Sequence, residues 1–258
     1  MSKNLILTKD QDKAFSRAKE FFKDEYNPAI VITGSAGTGK TVLMRYIVDY
    51  IIDNHIGSIA AIAPTHKARR VLEKTLNTDR FFNIPSFTVA SILGKMREHT
   101  YIGSHKYTNG SKQKMDRFDC FILDEVSMVG DKDLDEIIDY ICNHDKKLIL
   151  VGDNCQIPSP SQKLVRDGSI CYKPDSTAFD IENLCRLQEI VRQAADSVII
   201  KIASYMRDHL LDDVSLRDIL RSLDVNTGEL LVTHDQAHQQ FNKDWVAGLD
   251  TRIIAYTN

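Results

Sequence analysis

The sequence of 258 residues lacks any apolar stretch of membrane-spanning length. Residues 1–7 turn polar too soon to form a signal peptide, and no internal repeat or low-complexity segment occurs along the chain. These absences predict a cytoplasmic protein with no membrane partner. A composition of 43% hydrophobic and 27% charged residues is typical of a globular protein with a sizeable core.

Cysteine is scarce, and its pattern excludes a disulfide framework. The five cysteines are an odd number and contain no Cys-x-x-Cys pair: Cys120, Cys142, Cys155, Cys171 and Cys185. We expect free thiols in a reducing compartment. The formal net charge of −3 gives no overall attraction to nucleic acid, so any such binding requires a local basic surface.

A complete phosphate-binding loop lies between Gly34 and Thr41. The apolar run Ala29–Ile32 precedes it as a predicted buried strand, and Val42–Val48 follows with helical periodicity. In such a loop, glycines let backbone N–H groups converge on phosphate oxygens at the N-terminus of a helix. The predicted loop consists of Gly34, Ser35, Ala36, Gly37, Thr38, Gly39, Lys40 and Thr41.

This loop predicts binding of ATP and Mg²⁺. We expect Lys40 to reach the β- and γ-phosphates and the Thr41 hydroxyl to ligate the metal. A turn that is rich in glycine and fits the pattern by chance is the alternative, but both flanks of the loop argue against it.

Two further strand ends carry residues suited to ATP hydrolysis. Asp124 and Glu125 follow the predicted strand Cys120–Leu123; Asp124 would hold Mg²⁺ and Glu125 would orient or deprotonate the attacking water. Gln156 follows the strand Lys147–Val151 and could sense the γ-phosphate. The alternatives are a helix cap with a surface charge for the acids and an ordinary turn residue for the glutamine.

The chain alternates apolar strands with helices, which predicts an α/β fold with a parallel sheet covered by helices on both faces. The expected order begins with a helix capped by Thr8 and continues through strands at Ala29–Ile32, Ser58–Ala63, Cys120–Leu123 and Lys147–Val151, with helices at Lys67–Thr75 and Leu134–Cys142. Beyond Ile181 we expect long helices, Arg186–His209 and Leu216–Arg221, and a last strand, Thr251–Tyr256.

Residues 95–117 interrupt this alternation with a locally basic stretch. Asn109-Gly110 is a tight-turn signal, so we expect a small β-hairpin insertion. A solvated loop is the alternative.

Six motifs occur in an order that resembles superfamily 1 helicases of the RecD/Dda branch. They are Gln11, the loop Gly34–Thr41, Ala63–Ala68, Asp124–Met128, Gly152–Pro158 and Leu187–Gln193. The resemblance implies ATP-driven motion from 5′ to 3′ on single-stranded DNA. It also implies a RecA-like P-loop NTPase domain at 1–180, followed at 181–258 by the incomplete start of a second RecA-like domain.

The resemblance also assigns roles to individual residues. Gln11 would read the adenine edge, Arg192 would be an arginine finger, and the basic hairpin would be a wedge at the duplex fork. The DNA contacts would be Pro64, Thr65, His66, Thr88 and Ser91, although Thr65 has the alternative of a helix cap. Ala90 departs from the family pattern, which has histidine at that place.

Two other functions stay open at this stage. One is a nucleotide-dependent module that binds nucleic acid or regulates a partner without motor activity, and the other is a small-molecule kinase. Because the later helicase motifs do not follow, we expect nucleotide binding, weak single-strand binding and no detectable unwinding by these residues alone. Replication or recombination proteins are possible partners of the parent helicase.

Overall fold

A computed structural model describes residues 6–77, 83–99, 105–108, 114–156, 159, 163–166, 169–172 and 176–191, together with positions 202, 204, 205, 207, 243 and 246. The chain divides into two compact units, Met1–Arg192 and Gln193–Asn258. The predicted elements Leu216–Arg221 and Thr251–Tyr256, and the predicted arginine finger Arg192, lie outside the described residues.

The first unit contains a six-stranded sheet. Its strands are β1 (Ala29–Gly34), β2 (Ile59–Ala63), β3 (Ser86–Thr88), β6 (Cys120–Leu123), β7 (Lys147–Gly152) and β10 (Leu184–Leu187). They lie in the order β10-β1-β7-β6-β2-β3, and every neighbouring pair is parallel.

Helices cover this sheet, as the sequence predicts. They are α1 (Lys9–Phe21), α2 (Lys40–Asp53), α3 (His66–Leu76), α4 (Val89–Ile92) and α5 (Asp131–Asn143). Neighbouring residues of a strand face opposite sides, so Ile30 and Ile32 join one apolar cluster and Val31 joins the other. Among the described helices, none has the length and apolar character needed to cross a bilayer.

Each face of the sheet is closed by a helix whose apolar residues recur at helical spacing. Leu43 and Ile47 of α2 pack into one cluster, and Leu134 and Ile137 of α5 pack into the other, all with 0% exposure. Complete burial of one such side chain contributes about 1.5–3 kcal/mol to the free energy of unfolding. The core therefore fixes α2, and with it the phosphate loop, against β1.

The predicted helix that begins at Arg186 is wrong at its start. Residues Leu184–Leu187 form β10, which pairs with β1 from Val31↔Leu184 to Gly34↔Leu187. Cys185 and Leu187 are buried and Arg186 is exposed, the alternation of an edge strand. The first compact unit consequently extends beyond residue 180 to Arg192.

The expected hairpin insertion is present as β4 (Met96–His99) paired antiparallel with β5 (His105–Thr108). The two strands are joined by residues 100–104, so the turn signal Asn109-Gly110 follows the hairpin and does not form its tip. A second hairpin, β8 (Lys163–Arg166) with β9 (Ser169–Tyr172), has no counterpart in the sequence predictions.

Candidate nucleotide site

The parallel sheet brings the predicted ATP-site residues to one edge. The loops after β1, β6 and β7 all leave the carboxyl edge of the sheet, and these three strands are adjacent. Lys40 follows the first, Asp124 the second and Gln156 the third. Lys40 lies close enough to Asp124 for its positive charge to favour the ionised form of that carboxyl. The arrangement is the crevice in which open α/β sheets bind ligands.

The phosphate loop has the backbone conformation that its glycines allow. Gly37 and Gly39 have φ angles of 88° and 80°, in the left-handed region where a side chain is strained. The Lys40 Nζ donates to the carbonyl oxygens of Gly34 at 2.6 Å and Ser35 at 3.1 Å. The lysine head therefore lies inside the curve of the loop, where phosphate oxygens would be recognised.

Gln11, on helix α1, is hydrogen-bonded to the backbone of this loop. It is 2% exposed, and its Nε2 donates to the carbonyl oxygens of Thr38 at 3.0 Å and Gly39 at 3.4 Å. Its Oε1 accepts from the Thr8 backbone N–H at 2.9 Å as part of a capping box. Both ends of the amide thus bond backbone groups. The adenine contact implied by resemblance stays a prediction, and no local sequence signal indicates the contact of Gln11 with the loop.

Asp124 is a half-buried carboxyl whose environment opposes its charge. Burial raises its pKa to about 6, and the neighbouring Glu125 carboxylate adds to this effect. A hydrogen bond from the Glu125 backbone N–H to Oδ1 at 2.9 Å and the charge of Lys40 act in the opposite direction. A carboxyl held in this way gains from a cation placed beside it.

Glu125 has a side-chain oxygen that needs a partner. Its backbone lies in the left-handed region with φ of 54°, and its Oε2 is buried without a hydrogen bond among the described residues. A buried acceptor left in this state costs about 1–3 kcal/mol. Water or a bound ligand would satisfy it. This position therefore fits an acid that orients an attacking water.

The oxygen ligands at this edge fit a magnesium ion. Thr41 is exposed on the first turn of α2 and offers a hydroxyl, and Asp124 offers a carboxylate. Oxygen ligands of this kind, completed by water and phosphate, are those that Mg²⁺ prefers.

Gln156 belongs to a turn that leaves β7. Its backbone N–H donates to the Asp153 carbonyl at 3.1 Å, and the Asp153 carboxylate accepts from the Cys155 backbone N–H at 3.1 Å. At Gly152, an added Cβ would lie 2.9 Å from Val126 Cγ1. The close approach fixes this turn against the segment that carries Asp124 and Glu125.

The residues predicted to contact DNA lie at the same edge of the sheet, after β2 and at or after the end of β3. Thr65 caps α3 by accepting from the Ala68 N–H at 3.1 Å, so the alternative of a helix cap is observed. Thr88 is 7% exposed and caps α4 through the Ser91 N–H at 3.2 Å. Pro64 is half-buried and His66 is exposed at the start of α3. The DNA contacts themselves stay predictions.

A phosphate loop between a buried strand and a helix, with an acidic pair at the end of a nearby strand, defines a RecA-like P-loop NTPase domain. The family model described as an AAA domain matches residues 7–217. The chain belongs to this family.

Known proteins also resemble the chain. The ATP-dependent DNA helicase dda of Enterobacteria phage T4 is 27% identical over 263 residues, which cover 98% of this chain and 54% of the relative. The crystal structure of the Pif1 helicase from Candida albicans has a TM-score of 0.55 at 21% identity, covering 98% of this chain and 57% of that one. A Bacteroides Pif1 structure bound to ssDNA has a TM-score of 0.52 at 18% identity, covering 93% and 56%.

These matches confirm the RecA-like fold and the resemblance to the RecD/Dda branch of superfamily 1. They also include Pif1 helicases, which the sequence motifs did not indicate by name. The chain spans only 24%, 54% and 43% of the first three curated relatives it matches.

Proposed function

We propose that this chain is the ATP-hydrolysing part of a DNA helicase or translocase that moves 5′ to 3′ on single-stranded DNA. The observation that carries the proposal is that the parallel sheet brings Lys40, Asp124 and Glu125 to one carboxyl edge, where the charge of Lys40 acts on the Asp124 carboxyl and Glu125 Oε2 is buried and lacks a hydrogen-bond partner among the described residues. The relatedness to helicases of the Dda and Pif1 type supports the coupling of this site to DNA.

Each residue of the site has a proposed role. Lys40 binds the terminal phosphates, and the backbone N–H groups of Gly34–Thr41 bind their oxygens. Glu125 accepts a proton from the attacking water, and Gln156 contacts the γ-phosphate. Thr41 and Asp124 hold Mg²⁺, which would neutralise phosphate charge when bound. Gln11 completes the nucleotide site, and Arg192 supplies positive charge to the transition state.

Single-stranded DNA is the proposed nucleic-acid partner. The loops after β2 and β3 begin at the same edge as the nucleotide site, so ATP-driven movement there could reach Pro64–His66, Thr88 and Ser91. The Bacteroides Pif1 relative was solved with ssDNA, which supports this choice. Residues 193–258, the second compact unit, are proposed to belong to a second motor domain.

The test compares Glu125→Gln with the unchanged chain. Calorimetry with Mg·ATP measures affinity, and phosphate release with and without oligo(dT) measures turnover. We expect similar affinity and a loss of turnover of about 10²–10⁴-fold, since a general base contributes about this much. Glu182→Gln is the matched control, because Glu182 is exposed and precedes β10 at the opposite edge of the sheet.

Three other outcomes would contradict the proposal. Equal turnover in the unchanged chain and the Glu125 variant would favour a nucleotide-dependent binding or regulatory module. Transfer of phosphate to a small molecule rather than to water would favour a kinase. ATP hydrolysis that oligo(dT) does not stimulate would remove DNA from the mechanism.

A further inference from the structure

Helix α1 holds the edge strand β10 at both ends. At the amino end, Arg17 Nε donates to the Asn183 Oδ1 at 2.8 Å, and a guanidinium N–H donates to the Leu184 carbonyl at 3.4 Å. At the carboxyl end, Asp10 contacts the chain that leaves the strand. Arg17 follows Asp10 by seven positions, which correspond to about 10 Å along the helix. This distance is close to the length of a strand of four residues, about 13 Å.

The carboxylate of Asp10 binds two successive backbone amides. Its Oδ2 accepts from the Gln188 N–H at 3.0 Å and from the Glu189 N–H at 3.3 Å. These residues directly follow Leu187, the last residue of β10. Two N–H groups that converge on one carboxylate oxygen fix the direction in which the chain leaves the sheet, and bonds to a charged acceptor are stronger than neutral ones.

The same segment then reaches the phosphate loop. The Val191 N–H donates to the Gly37 carbonyl at 2.8 Å, and Val191 Cγ2 lies 3.7 Å from the place of a Cβ on Gly39. Residues 188–191 therefore run from the carboxylate of Asp10 to the middle of the phosphate loop. All these contacts lie within the compact unit Met1–Arg192.

We infer that Asp10 is a positioning residue that holds residues 188–191 against the phosphate loop. Arg192 follows this segment directly in sequence. Through the segment, Asp10 fixes the chain up to the residue before the proposed arginine finger. The catalytic consequence rests on the proposed function, whereas the contact between Asp10 and the segment does not.

The first measurement is amide hydrogen exchange across residues 188–191 in the full chain, which requires no activity. Hydrogen bonds to a charged group contribute about 1.5–3 kcal/mol, so Asp10→Ala should raise exchange at Gln188 and Glu189 about 10- to 100-fold. Asp10→Asn keeps an acceptor oxygen and should restore part of the protection. Asp12→Ala is the matched control: Asp12 shares the first turn of α1 and is exposed.

The second measurement separates binding from turnover. Asp10→Ala should lower kcat for ATP about tenfold, with affinity for ADP unchanged, because ADP lacks the γ-phosphate that Arg192 is proposed to contact. Asp12→Ala should change neither quantity.

Two results would overturn the inference: exchange at 188–189 that equals that of the Asp12 variant, or increased exchange with unaltered kcat in an active chain. If the unchanged chain hydrolyses no ATP, the proposed function fails while the exchange data still decide the role of Asp10 as an anchor.

Discussion

Gln11 Nε2 and the Cα of Gly39 approach so closely that a Cβ added to Gly39 would lie 2.2 Å from that nitrogen. Gly39 also has a φ angle of 80°, a conformation that costs a residue with a side chain about 1–2 kcal/mol. Helix α1 therefore packs tightly against the phosphate loop at this point, where Gln11 contributes the amide and Gly39 the space that a side chain would fill.

This contact predicts non-additive effects in a double-mutant cycle. Gly39→Ala should destabilise the chain by about 2–4 kcal/mol, since it adds steric overlap to strain, and Gln11→Ala should cost about 1–2 kcal/mol through lost hydrogen bonds. The double variant should be less destabilised than the sum, because removing the amide relieves the overlap. Urea unfolding measures all four chains. Strict additivity would show that the two residues do not meet.

The raised pKa of Asp124 predicts how the free energy of unfolding depends on pH. Its pKa is raised from 3.8 to about 6, so the folded chain holds the proton more tightly than the unfolded chain. Ionising Asp124 in the folded chain costs free energy and therefore lowers the free energy of unfolding. This loss is absent below about pH 4, grows as the pH rises and is complete above about pH 6. A shift of this size corresponds to about 3 kcal/mol.

The variant Asp124→Asn removes this ionisation. Relative to the unchanged chain, its free energy of unfolding should be higher by up to about 3 kcal/mol at pH 7 and equal near pH 4. Urea unfolding of both chains at the two pH values checks this, and the subtraction cancels the carboxyls that do not interact with Asp124. If the difference in the free energy of unfolding grew toward low pH instead, its sign would show that the folded chain does not raise the pKa of Asp124.

The sequence could predict the phosphate loop and the central strands because their signals are local. Eight consecutive residues and their flanks define Gly34–Thr41, and β1, β6 and β7 are short apolar runs. The carboxyl edge then follows from the parallel topology alone. The sequence therefore predicts that Lys40, Asp124 and Gln156 lie at the same edge of the sheet.

The remaining features depend on contacts that are distant in sequence. Leu184–Leu187 alternates like an edge strand but is too short to distinguish from a helix start, and its partner β1 lies far away in the chain. Gln11 meets Thr38 across 27 residues, and Asp10 meets Gln188 across 178. No periodicity in one segment reveals such pairs.

Lys95 attaches the hairpin insertion to helix α5. It directly precedes β4, and its side chain, 11% exposed, forms ion pairs with Asp133 at 2.6 Å and Glu136 at 2.9 Å on α5. Burial alone would lower the pKa of Lys95, but these two bonds outweigh it and raise the pKa overall. The ammonium group is therefore charged at neutral pH.

Removing this charge should destabilise the chain, because two carboxylates would lose their shared partner. Lys95→Met should cost about 1–3 kcal/mol in urea unfolding. Lys132→Met is the matched control: Lys132 is an exposed residue of α5 and should change stability by less than about 0.5 kcal/mol. Equal effects of the two substitutions would show that the ion pairs do not anchor the hairpin.

Thr65 allows its two roles, helix cap and DNA contact, to be separated. Thr65→Ala should lower the free energy of unfolding by about 1 kcal/mol, because α3 loses the bond to the Ala68 N–H. Thr65→Asp keeps an acceptor and adds a negative charge where the helix dipole favours one, so stability should be preserved. The same charge repels phosphate, and affinity for oligo(dT) should fall about tenfold or more in fluorescence anisotropy at low salt.

Thr65→Ser is the control: it keeps the hydroxyl and should retain both the stability and the DNA affinity of the unchanged chain. Unchanged DNA affinity in Thr65→Asp would place the strand away from this loop and leave Thr65 with the cap alone.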